Sequence, residues 1–156
     1  MLHFRPELRS KLMGIRVIAA AFALWLTGAG IAWADDLVVV VNNQAPVQKL
    51  TDQDVKDIFL GEKGFWGDVK IVPVGYVDGA AIQNEFLDKV VNISENVYKT
   101  YWIKRIFREG GTPPRKAGTA EEVLSIISRN PGAVGFVYGS QLAGATNVRE
   151  VLRVPN

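Results

Sequence analysis

The sequence predicts an α/β domain built on a small mixed sheet of about four strands flanked by helices. Three observations point to it. Leu37–Val41 is an unbroken apolar, β-branched run of the kind buried on both faces of a sheet. Strand-like and helix-like segments follow in the order strand, helix, strand, three helices, strand, strand. Cap and turn residues separate these segments, which keeps their boundaries readable.

The first strand ends in the loop Asn42-Asn43-Gln44-Ala45-Pro46. Thr51 is placed to cap the first helix, with Asp52 and Asp54 in the turn where the helix dipole favours negative charge. Val55, Ile58 and Phe59 form its inward stripe, and Gly61 stands where a left-handed residue closes a helix. Gly64-Phe65-Trp66-Gly67 reads as a turn. Lys70–Tyr76 reads as the second strand, with Pro73 marking an edge or a strand end. Asp78-Gly79 turns the chain into a helix carrying Ile82, Phe86 and Val90.

Ser94 caps the next helix. Tyr98, Trp102 and Ile106 line one face of it, and Gly110-Gly111 stops it. Thr112-Pro113-Pro114 is an extended connector. Thr119 and Glu122 match a capping box, opening a helix with Val123, Ile126 and Ile127 inside. Asn130-Pro131-Gly132 then delivers Ala133–Tyr138 as a third strand, and Val148–Val154 is a short fourth near the end of the sheet.

Residues 1–34 read as a leader outside this fold. Arg5, Arg9, Lys11 and Arg16 precede the apolar run Val17–Thr27, and Ala32-Trp33-Ala34 places small residues for cleavage before Asp35. The apolar stretch is also roughly the length of a membrane span, so an uncleaved anchor is the competing reading and the one route to a membrane. The leader holds four of the 18 basic and one of the 16 acidic residues, leaving 14 and 15 in the remaining 122 residues. The basic pI of about 8.9 therefore reports the leader, and no basic run interleaved with aromatics argues for nucleic acid. The length from 35 to 156 suits a single domain with one core.

Cysteine is absent and the one histidine, His3, lies in the leader. A domain without either cannot assemble a Ser-His-Asp triad, a Cys-His pair or a conventional zinc site. No enzyme, catalytic residue, metal or cofactor is expected. Asp54 and Asp57 share a helix face, open to a metal or carboxylate reading, but helix-start acids fit a solvated face favoured by the dipole.

The helix LTDQDVKDIFLG, the Trp turn, IVPVGYVDGAAIQNEF and NPGAVGFV, in that order, closely resemble the substrate-binding proteins of bacterial phosphate ABC transporters. Among these the chain looks most like the short single-domain periplasmic relatives. The resemblance implies one lobe of a periplasmic-binding-protein-like fold, a periplasmic location, a small anion such as phosphate as ligand, and an inner-membrane transporter or another envelope protein as partner. An envelope protein-interaction module without a small ligand is the alternative.

The candidate site starts at the turn Gly75–Ile82, because a glycine turn opening a helix directs free N–H groups at one spot. In phosphate-binding relatives that turn looks like Arg-Ser-Asp-Gly-Ser-Gly-Thr. This chain keeps Asp78 and Gly79. It has Tyr76 for the Arg, Val77 and Ala80 for the serines, Ala81 for the Gly and Ile82 for the Thr. Gln83 stands about where short relatives often carry an Arg. Asn42 and Asn43, at the end of the first strand, are further candidates, since open α/β sheets bind ligands at strand ends, although Asn is equally a turn residue. Lys99, Lys104, Arg105, Arg108, Arg115 and Lys116 gather positive charge around one helix end and the Pro-Pro connector, either as dipole-matched cations or as a docking patch.

Overall fold

Strand β1 (Leu37–Asn42) lies inside the sheet with every residue buried, as its apolar run requires. The computed structural model describes residues 35–156; the leader, its cleavage after Ala34 and the anchor alternative lie outside the described residues. After β1 come α1 (Asp52–Phe59), a hairpin of β2 (Phe65–Trp66) and β3 (Val69–Lys70), and β4 (Val72–Tyr76). Helix α2 (Ala81–Phe86) runs on into a π-helical turn at Leu87–Val91, followed by α3 (Glu95–Glu109) and β5 (Arg115–Ala117). Helix α4 (Ala120–Arg129), β6 (Ala133–Tyr138) and β7 (Val148–Val154) complete the chain.

The main sheet has five strands in the order β5-β4-β6-β1-β7. Strand β4 runs parallel to both β5 and β6, whereas β1 is antiparallel to β6 and β7, so the sheet is mixed as expected. The count is one higher than expected. The extra strand is β5, part of what reads as connector, and it is held by its ladder to Val74–Tyr76. The expected strand Lys70–Tyr76 is also broken, its first residue belonging to the β2–β3 hairpin.

Pro73 fits β4 because of where β5 stops. Val72 donates its N–H towards β6, at Gly132 O, 2.8 Å away. Successive residues of a strand alternate sides, so the missing N–H of Pro73 faces the β5 side, where the ladder begins only at Val74. Strand β4 is an edge at Pro73 and an interior strand from Val74 on.

The expected caps are present. Thr51 N–H donates to Asp54 Oδ2 (3.0 Å) and Asp54 N–H to Thr51 Oγ1 (3.1 Å), a reciprocal box. Gly61 has φ +75, and a Cβ there would stand 2.8 Å from Trp102 Cη2, so two constraints keep it glycine. Ser94 caps α3 and Gly110, at φ +66, ends it. At α4 Thr119 caps Glu122 N–H, while the Glu122 carboxylate accepts from Gly118 N–H instead of closing the box.

The core is aromatic at its centre. Phe86 and Phe136 stack at 3.8 Å, and Phe59 meets Phe86 edge-on at 4.7 Å. Tyr98 and Trp102 are buried as the α3 pattern predicts, but Ile106 is 41% exposed. It lines the cleft described below, beside Trp102.

Lys63 beside Asp54 (2.9 Å), aided by the Thr51 bonds, pulls its carboxyl down to about 2. A lowered folded pKa contributes stability above the ordinary carboxylate range and loses it as pH falls towards 2. The pair is partly exposed, so Asp54→Asn should destabilise by about 1 kcal/mol at neutral pH, with the gap closing as pH approaches about 2. Urea unfolding of both proteins across that range checks this. A gap independent of pH would exclude the ionised carboxylate as its source.

Candidate functional site

Gly75 is the residue that shapes the site. It breaks a strand of bulky neighbours, and the Gln83 side chain from α2 occupies the space above it. A Cβ on Gly75 would stand 3.0 Å from Gln83 Oε1. That oxygen accepts from Tyr76 N–H at 2.8 Å. The bond fixes the amide orientation and leaves Nε2 without an acceptor among the described residues. Gln83 is only 6% exposed.

Beyond Tyr76 the chain makes the expected turn. Val77 N–H still donates to Ala117 O (3.0 Å), Gly79 takes φ +82, and Ala80 precedes α2 with no side-chain cap. The N–H of Gly79 is occupied. It donates to Glu95 Oε1 from the first turn of α3, 2.7 Å away. A carboxylate of this chain thus sits where a bound oxyanion would accept from the turn.

Asp78 contributes no second acceptor to the turn. Its carboxylate meets Lys116 Nζ at 2.6 Å and Lys99 Nζ at 3.6 Å. The Lys116 hydrogen bond, with the charge of Lys116 and Lys99, holds the Asp78 carboxyl below its ordinary range. Lys99 also lies 3.7 Å from Glu95, which joins turn, α3 and β5 in one exposed charge network.

Between α3 and the β4–β5 side of the sheet lies a cleft of about 310 Å³. Its deep walls are the buried rings of Phe59, Tyr76, Tyr98 and Trp102, with Gln83 among them. Its mouth carries Asp78, Lys99, Arg115 and Lys116, and Ile103, Ile106, Pro113 and Pro114 complete the lining. Both tyrosine hydroxyls are engaged with backbone: Tyr76 donates to Phe136 O (3.1 Å) and Tyr98 to Phe59 O (2.9 Å). Burial raises both phenols well above their ordinary range, so each presents a ring, and no ionisable group, to the cleft.

Asn42 and Asn43 lie elsewhere. Strand β1 runs against β6, with Leu37 opposite Tyr138 and Val41 opposite Val134, while Val72 of β4 pairs with Ala133. The end of β1 therefore sits at the opposite end of the sheet from Tyr76, Asp78, Gly79, Ala80 and Ala81. Asn42 is buried. Its amide donates to Ile127 O (2.8 Å) and Ser128 O (3.0 Å), and its Oδ1 accepts from Gln44 N–H (2.8 Å). It holds the end of α4 to the sheet. Asn43 is exposed, with its backbone bonded to Asn147 and Arg149.

The sequence reading of the site leaves out Glu95, Tyr98 and Trp102, and weighs Gln83, Lys99, Arg115 and Lys116 in other roles. Gly75 is the signal that points to the Gln83 approach, since a glycine within a strand marks something packed close above it.

No protein-family model and no curated protein matches the sequence. Solved structures match the fold. The chain superposes on an ABC-type phosphate transport receptor from Vibrio cholerae with a TM-score of 0.57 at 18% identity, covering 75% of this chain and 45% of that one. Superposed on PstS from Borrelia burgdorferi it gives a TM-score of 0.60 at 14% identity, covering 75% and 46%. The chain thus spans less than half the length of these neighbours, and at such identities the likeness is one of fold. The domain has a periplasmic-binding-protein-like α/β fold.

Proposed function

We propose that the chain is a non-enzymatic binding lobe of the periplasm, released from its leader after Ala34, that takes a small solute into the cleft beside Tyr76 and binds inorganic phosphate weakly. Its partner is an inner-membrane transporter or another envelope protein. The fold shared with a phosphate transport receptor supports a binding role over an enzymatic one. The observation that carries the weak-phosphate reading is the Glu95 carboxylate on Gly79 N–H. Phosphate at the turn would have to displace a like charge, and Tyr76–Ile82 holds no arginine and no hydroxyl except that of Tyr76, which is engaged with Phe136 O.

Calorimetric titration tests this. Each missing bond to a charged group is worth roughly 1.5–3 kcal/mol, so phosphate should bind the unmodified protein more weakly than about 100 μM. Glu95→Ala frees Gly79 N–H and removes the repulsion, and should tighten phosphate by about tenfold. Micromolar binding by the unmodified protein, or no response to Glu95→Ala, would sink the reading.

One observation favours the interaction-module alternative. Ile103 and Phe107 stand 56% and 86% exposed on α3 beside the cleft, an apolar surface of the kind proteins present to partners. A protein whose melting temperature no small anion raises would favour that module.

A further inference from the structure

We infer that the cleft is built for an amphipathic monoanion, a short apolar body carrying one carboxylate, rather than for an inorganic oxyanion. The inference rests on the binding-lobe reading and names the ligand class for its cleft. A volume of about 310 Å³ is at the small end of ligand sites. The depth of that volume is apolar. Tyr98 and Trp102 face it with rings, their neighbours are Phe59 and Ile106, and both deep hydroxyls are engaged with backbone carbonyls.

Two donors of the cleft wall are uncommitted, and one of them, Trp102 Nε1, is buried with no partner among the described residues. The other, Gln83 Nε2, has no acceptor among the described residues, and its side chain is more than nine-tenths buried in the cleft wall. A buried donor without a partner, as Trp102 Nε1 is, is unfavourable until something accepts from it, and Gln83 Nε2 is open to an acceptor entering the cleft. A phosphate there would need several converging donors and would give up its hydration to aromatic walls, whereas a single carboxylate needs one or two.

The mouth supplies the matching charge. Lys99 and Lys116 share Asp78, Lys99 also approaches Glu95, and Arg115 makes no ion pair among the described residues. Counted together these groups are net positive by one, which suits a monoanion. An apolar body packs on the rings while the carboxylate accepts from Gln83 Nε2 or from Arg115, whose planar fork fits it.

The test is calorimetry on the full-length chain with three probes: 3-phenylpropionate, its neutral analogue 3-phenylpropanol, and inorganic phosphate. We expect 3-phenylpropionate to bind about tenfold more tightly than either of the others, the effect of one charge-assisted hydrogen bond. Gln83→Glu keeps an acceptor for Tyr76 N–H while removing the free donor. Arg115→Gln alters only the exposed mouth, so a folding defect in the first variant leaves the second to decide. Whichever variant removes the carboxylate's partner should weaken 3-phenylpropionate about tenfold more than 3-phenylpropanol, for the same reason. Equal affinity for the acid and the alcohol, or insensitivity of their ratio to both variants, overturns the inference. Phosphate binding tighter than 3-phenylpropionate overturns it while leaving the binding lobe standing. Silence from all three probes, with phosphate silent in Glu95→Ala as well, removes both.

Discussion

Replacing Phe136 by alanine should lower the unfolding free energy by about 3–5 kcal/mol, the range for deleting a fully buried aromatic side chain. Phe136 has no exposed surface and is the ring on which three others converge. Phe86 stacks on it at 3.8 Å, Tyr76 lies at 5.3 Å, and Phe59 packs edge-on at 5.7 Å. These rings come from two helices and two strands, so the cavity cannot be closed by one of them moving alone. Phe136→Leu keeps most of the volume and should cost less than about 1.5 kcal/mol. Chemical denaturation of both variants measures the difference. Equal losses would mean that ring geometry, and not filled volume, dominates the centre of the core.

Gly132→Ala should cost about 3 kcal/mol or more, above the common range for overpacking because the clash is with backbone. A Cβ at Gly132 would sit 2.0 Å from Lys70 O. The residue cannot retreat freely. Its carbonyl accepts from Val72 N–H at 2.8 Å and its own N–H donates to Asn130 Oδ1 at 3.0 Å. Relieving the overlap therefore strains the start of both β4 and β6. Gly64→Ala is the control, since nothing lies within 4 Å of a Cβ there, and a surface change of that kind should stay within about 0.5 kcal/mol. Comparable midpoints for the two variants would show that the Asn130–Gly132 turn yields easily.

What the sequence made legible was whatever acts locally. Leu37–Val41 reads as a buried strand because burial on both faces leaves no polar position in it. Thr51, Gly61, Ser94 and Gly110 read as helix ends because each satisfies backbone groups a few residues away. Strand β5 was not legible, since Arg115 and Lys116 are exposed and charged and its ladder to β4 is made by backbone. The direction of β1 was hidden for a related reason. Apolar periodicity says which face is buried and nothing about which way the neighbour runs, so Asn42 and the Gly79 turn read as one strand-end region when they lie at opposite ends. At the site, the turn itself was readable, but its occupant was not. Glu95 looks like an ordinary acid at a helix start until the fold carries it back to Gly79.

The placement of β1 also bears on how the chain folds. Both of its partners, β6 and β7, come from the end of the chain, and the rung from Leu37 to Tyr138 closes a loop of roughly a hundred residues. The most apolar strand of the domain is therefore the first made and among the last paired. Until β7 is in place, an unpaired valine-rich edge stays available to a chaperone or to another nascent copy. Slow, late closure makes β1 the segment through which aggregation starts when folding stalls.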